Sequence, residues 1–134
     1  MHGPRSIRGW SSIDASGMPD GAVAMAVMAS CALTATTITG LETLRVKESD
    51  RIGALKAELE RCGSEVVATD RSLRIGPIPS PQMVPDAPSV SIRTYDDHRM
   101  AMAFALVGDV FINEPSCVNK TFPNYFEVLE SVSE

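Results

Sequence analysis

The sequence predicts an α/β fold, of the α+β kind, assembled from about two copies of one unit of strands and helices. Three observations carry this. Short β-branched or alternating stretches take turns with stretches at helical spacing. Two of the helical stretches are apolar almost throughout, as helices buried on every side are. The order of elements also recurs. "AMAV", Ala24 to Val27, is answered by "AMAF", Ala101 to Phe104, and each is followed by a strand, a loop with a lysine and an amphipathic helix. The approximate copies are residues 7–76 and 89–134, joined by a proline-rich loop over 77–88.

The elements follow in order. Residues up to about Met18 are rich in Gly, Ser and Pro and hold one short strand near Ile7 to Ile13. Asp20 to Ala32 reads as the first buried helix, with Pro19 and Asp20 suited to its start. Thr34 to Thr39 is β-branched and reads as a strand that Gly40 ends. A helix from about Asp50 to Cys62 places Ile52, Leu55, Leu59 and Cys62 on one face and Lys56, Glu58, Glu60 and Arg61 on the others, and Gly63 stops it. "EVVAT" and "SLRIG" form two strands about a turn at Asp70–Arg71. Five prolines between Pro77 and Pro88 make a loop. "SVSIRT" is a strand, "YDDHRMAMAFALV" a second buried helix after an acidic start, and "DVFIN" a strand. The last helix runs from about Pro123 to Val132, with Phe126 and Leu129 inward.

At 134 residues the chain is long enough for one domain with a core, and 44% hydrophobic with 22% charged residues suits a globular protein. A net charge of −5 and 5% aromatic residues argue against nucleic-acid binding. The longest apolar run, Ala22 to Leu33, is interrupted by Ser30 and is too short to span a membrane. The first ten residues lack the apolar stretch of a signal peptide. Cys31, Cys62 and Cys117 are odd in number and lack metal spacing, which points to a reducing cytoplasm, no disulfide framework and no metal site.

The chemistry-bearing residues crowd the helix starts. Lys47, Glu48, Asp50 and Arg51 fall within five residues, and Asp97, His98 and Arg99 open the second buried helix. A helix start favours anions and disfavours cations by roughly 0.3–1 kcal/mol each. Arg51 and Arg99 therefore stand where helix electrostatics alone would not put them. Two readings follow. In one, Arg51 pairs with Asp50 or Glu48 and Arg99 with Asp96 as ordinary surface pairs, Asp20 and Asp97 are N-caps, His98 is structural and Lys120 is solvated. In the other, Lys47, Arg51, Arg99 and Lys120 line one pocket for a small polyanion, with Asp20 and Glu48 beside it to move protons.

These stretches also carry a family resemblance. "MPD" before the first buried helix, "RVKESDR", "YDDHRMAMAF" and "CVNKTFPNYFEVLE", in that order, resemble the EPSP synthase family, the 3-phosphoshikimate 1-carboxyvinyltransferases, from about Ile13 to Val132. The resemblance implies part of an inside-out α/β barrel domain, namely the C-terminal part of one of two similar enolpyruvyl transferase domains. It implies transfer of the enolpyruvyl group of phosphoenolpyruvate to the 5-hydroxyl of shikimate 3-phosphate, with release of phosphate and no cofactor. It implies Asp20 as the base on the hydroxyl, Glu48 as the carboxylate exchanging a proton with the methylene carbon, and Lys47 as the bridge between substrates. Arg51 and Arg99 clamp the phosphoenolpyruvate carboxylate, with His98 beside Arg99 and Lys120 near the phosphate. Thr43 stands where some members carry an Asn that contacts the shikimate phosphate. UDP-N-acetylglucosamine enolpyruvyl transferases share the fold and chemistry but lack the "DDHRMAMAF" and "KTFPNYF" stretches. The family's N-terminal domain, which makes most shikimate 3-phosphate contacts, has no counterpart here, so the chain is expected to bind phosphoenolpyruvate weakly and not to turn over. Exposed apolar faces allow self-association, and the alternative is a non-catalytic half-enzyme that packs with a partner chain.

Overall fold

The computed structural model describes residues 8–47, 49–78, 90–107 and 110–132. Glu48 and most of the proline-rich loop lie outside them.

The first unit begins with a two-residue strand, β1 (Ile13–Asp14). Residues 8–12 are not part of it. The Gly9 and Trp10 N–H groups donate to the Thr34 and Thr36 hydroxyls, so they do not join a ladder. A 3₁₀ turn, Pro19–Gly21, leads into α1 (Ala22–Ser30), which stops short of the expected Ala32. Helix α1 is buried except for Ala24 and Met28, one turn apart on a single stripe. Strand β2 (Thr36–Thr39) pairs parallel with β1, so β1–α1–β2 is a right-sized crossover unit. Gly40 at φ 76° ends β2, and a Cβ there would meet the Ser16 nitrogen at 2.6 Å.

A 3₁₀ helix, Glu42–Val46, fills what the pattern left as a charged turn. Helix α2 (Arg51–Arg61) follows, capped by the Asp50 carboxylate accepting from the Gly53 N–H at 3.2 Å. Gly63 at φ 96° stops it. Ile52, Leu55 and Leu59 are fully buried, as their spacing predicts. Glu58 is also fully buried, against its expected outward placement. Strands β3 (Val66–Ala68) and β4 (Leu73–Ile75) form an antiparallel hairpin, and the first sheet runs β1-β2-β4-β3.

The second unit repeats the start of the first. Strand β5 (Val90–Ile92) pairs parallel with β6 (Val110–Ile112), and α3 (His98–Phe104) lies between them in sequence. Another unpredicted 3₁₀ helix, Pro115–Lys120, then leads to α4 (Tyr125–Val132). Helix α3 ends three residues before Val107, and α4 starts two residues after Pro123. The inward residues of α4, Phe126 and Leu129, are half-buried, and no residue of this helix is fully buried.

Helices α1 and α3 pack against each other. The core runs continuously through α1, β2, α2, β4, β5 and α3, with Ile38, Leu55, Leu73, Ile92, Met100 and Phe104 at zero exposure. Because α1 and α3 are neighbours, their starts are brought close, and that is where the charged residues sit. No described helix is long and apolar enough to cross a membrane.

Candidate functional site

Three of the predicted residues converge on a fourth. Asp20, in the 3₁₀ turn before α1, is not the N-cap: Met18 caps the turn and Gly21 caps α1. Asp20 Oδ1 lies 3.3 Å from Lys47 Nζ and 3.2 Å from Arg51 Nη1. Arg99 reaches the same residue, donating from Nη1 to the Asp20 main-chain oxygen at 3.3 Å and bringing Nη2 to 3.9 Å from Oδ2. The cations come from three elements: the end of the 3₁₀ helix before α2, the first turn of α2 and the first turn of α3.

Arg51 is the best held of them. Its Nε donates to Asp97 Oδ2 at 2.8 Å and its Nη2 to Asp97 Oδ1 at 3.2 Å, a forked pair that also receives the Ser49 hydroxyl at 2.8 Å. Arg51 is 1% exposed and Asp97 0%. Asp97 additionally caps α3, accepting the Arg99 N–H at 3.0 Å. One carboxylate thus positions both arginines, Arg51 by its guanidinium and Arg99 by its backbone.

Both aspartates stay ionised well into acid. Burial works against the charge of Asp97, but hydrogen bonds from Arg51 and Ser49 and the Arg51 charge outweigh it and hold its carboxyl below the usual range. At Asp20, burial again opposes ionisation, while the Lys47 hydrogen bond and the charges of Lys47, Arg99 and Arg51 prevail. Among the described residues, three cations against two carboxylates leave this mouth with a surplus of one positive charge. Lys47 and Arg99 are partly exposed, so that surplus faces solvent.

Lys120 sits apart from this group. Ending the second 3₁₀ helix, it pairs with Asp96 at 2.8 Å. The pairing mirrors Lys47 with Asp20: in each unit a lysine after the second strand reaches an aspartate before the buried helix. His98 is buried as the first residue of α3, beside Arg99. Glu48 lies outside the described residues. Beside Asp20 and Arg99 runs a groove of about 180 Å³ between α1 and α3, bordered by Ala24, Met102, Leu106 and Tyr125. Ala24, one of the two exposed residues of α1, borders this groove.

The segment that delivers Asp97 and Arg99 is strained. Tyr95 at φ 56° and Asp96 at φ 52° are consecutive left-handed residues without being glycine. Such a conformation costs roughly 1–2 kcal/mol per residue. Contacts hold each one: the Arg93 guanidinium lies 5.0 Å from the Tyr95 ring centre, and Lys120 pairs with Asp96.

Sequence reasoning did not find Asp97 as an organiser, reading it as an N-cap alone. The available signal was "DD" before α3, two acids where one cap suffices. Ser49 gave no signal of its own.

The fold and the charge arrangement define an α/β protein whose parallel-strand units bring lysine and arginine to the starts of two adjacent buried helices. The chain belongs to the EPSP synthase (3-phosphoshikimate 1-carboxyvinyltransferase) family, whose sequence pattern matches residues 5–129. It is 47% identical over 126 residues to a 3-phosphoshikimate 1-carboxyvinyltransferase of Nitrosomonas europaea, covering 90% of this chain and 28% of that protein. The enzyme of the same name from Neisseria gonorrhoeae is 41% identical over 126 residues, covering 91% and 28%. The fold is similar to EPSP synthase from Acinetobacter baumannii, with a TM-score of 0.74 and 29% identity over 86% of this chain and 27% of that one. The chain therefore spans a little over a quarter of the length of the relatives it matches.

Proposed function

We propose that this chain carries the phosphoenolpyruvate-binding part of a site that transfers an enolpyruvyl group to the 5-hydroxyl of shikimate 3-phosphate. The supporting observation is the gathering of Lys47, Arg51 and Arg99, from three elements, around the Asp20 carboxylate. A carboxylate already sits where these cations converge, and a substrate carboxylate or phosphate is the natural replacement.

In this reading Arg51 and Arg99 receive the phosphoenolpyruvate carboxylate as Asp20 turns toward the incoming hydroxyl. Lys47 bridges the two substrates, and Lys120 and His98 attend the phosphate side. Glu48 gives a proton to the methylene carbon, the hydroxyl oxygen attacks the adjacent carbon while Asp20 accepts its proton, and the C–O bond to phosphate then breaks as the methyl group returns a proton to Glu48, the proton on Asp20 passing to the departing phosphate. Asp20 suits the role of base because it is held ionised. No cofactor enters these steps. The family resemblance implies that most shikimate 3-phosphate contacts lie outside this stretch, so weak phosphoenolpyruvate binding and no turnover are expected of the chain alone.

Calorimetric titration of the chain with phosphoenolpyruvate tests this. Weak saturable binding is expected, reduced about fivefold or more by Lys47→Gln and by Arg99→Gln. Absence of saturable binding, or binding by both variants as tight as that of the unaltered chain, refutes it. A phosphate-release assay with both substrates should show no turnover.

A further inference from the structure

Helix α2 grips the strained segment before α3 at two points. Arg51, at its start, takes Asp97. Glu58, seven residues on and so about two turns away on the same face, takes the Arg93 N–H on Oε1 at 2.8 Å. Glu58 is fully buried, an expensive place for a carboxylate. Its Oε2 stands 2.8 Å from Arg61 Nε as an ion pair but accepts no hydrogen bond among the described residues. An apolar residue at this inward position would serve packing as Leu55 and Leu59 do. What the carboxylate adds is an acceptor for the Arg93 N–H, the first main-chain donor after β5, which helps fix where the 93–97 segment leaves that strand. From there Arg93 lies over Tyr95, and the left-handed turn at Tyr95 and Asp96 aims Asp97 at Arg51.

We propose that Glu58 is a positioning residue of the site: by anchoring the Arg93 N–H it sets the segment that carries Asp97 and Arg99, and through them the Arg51 guanidinium. Its bearing on catalysis rests on the anion-binding reading above, but its structural half does not, and the two are tested separately.

The variants are Glu58→Gln, whose amide oxygen still accepts the Arg93 N–H, Glu58→Leu, which fills the space without an acceptor, and Glu58→Asp, which withdraws the carboxylate by one methylene. The first readout is nitrogen–proton NMR without ligand, following the Arg51 Nε–H and the Arg99 main-chain N–H. Gln keeps both signals in place. Leu and Asp shift both and speed exchange of the Arg51 Nε–H by about tenfold, while signals from α1 stay native. The second readout is phosphoenolpyruvate affinity, unchanged within about twofold in Gln and weakened about fivefold in Leu and Asp. Native Arg51 and Arg99 signals in Leu or Asp overturn the proposal. So does a Gln variant as perturbed as Leu, or a pair of Leu and Asp chains that both fail to fold while Gln is native, because Glu58 is then a residue of stability alone. If the unaltered chain binds no phosphoenolpyruvate, the anion-binding reading falls while the first readout still decides the role of Glu58.

Discussion

Arg51 donates its Nε–H to Asp97 across 2.8 Å, although 46 residues separate the two in the chain. The bond joins the start of α2 to the start of α3, and both partners are out of water.

Removing one partner strands the other charge in the interior. Asp97→Ala leaves the Arg51 guanidinium without its forked acceptor and α3 without its cap, and should destabilise the chain by roughly 3–5 kcal/mol. Asp97→Asn keeps an acceptor oxygen and should cost less. Urea midpoints of the three chains check this. A midpoint for Asp97→Ala equal to that of the unaltered protein would show the pair to be of no net value.

The same pair sets an acid limit. Asp97 and Asp20 titrate lower in the folded chain than unfolded. Their stabilising contribution is therefore complete above the unfolded carboxylate value of about 3.9 and is lost as pH falls through their lower folded values. Melting temperatures should be insensitive to these two groups from about pH 5 to 8 and should fall below about pH 4. In Asp97→Asn the acid slope should flatten, and a slope identical to that of the unaltered chain would assign the acid sensitivity elsewhere.

Asp20 should hold binding and chemistry in opposition. Asp20→Asn removes the internal carboxylate that Lys47, Arg51 and Arg99 now share, making the site one charge more positive. Phosphoenolpyruvate should bind this variant about three- to tenfold more tightly, since a fixed anion no longer competes for the cations. Titration calorimetry at low salt reads the change. Weaker binding would mean that Asp20 arranges the cations and does not merely neutralise them.

Much of this was legible in the chain. Hydrophobic spacing marked α1, α2 and α3, and β-branched runs marked β2, because burial writes a period into the sequence. The two 3₁₀ helices were not legible. Glu42–Val46 and Pro115–Lys120 are too short to show a period and too charged or mixed to show a face. Glu58 misled for a related reason: a glutamate among Lys56, Glu60 and Arg61 reads as solvated, and only the arrival of Arg93 from the second unit gives it a reason to turn inward. At the site, the Asp20, Lys47, Arg51 and Arg99 grouping could be guessed from charge at helix starts. That Arg51 would be buried could not, since its partner lies in the other unit.

Arg51 belongs to the first unit and Asp97 to the second, so the charged mouth exists in neither unit by itself. A chain with one half ordered has the cations but not their arrangement. On the proposed reading, recognition of an anion and completion of the fold then arrive together. Any anion that selects the finished arrangement must, by mass action, resist melting of the whole molecule and not of one loop. The mouth doubles as an assembly check, one that a half-folded chain cannot pass.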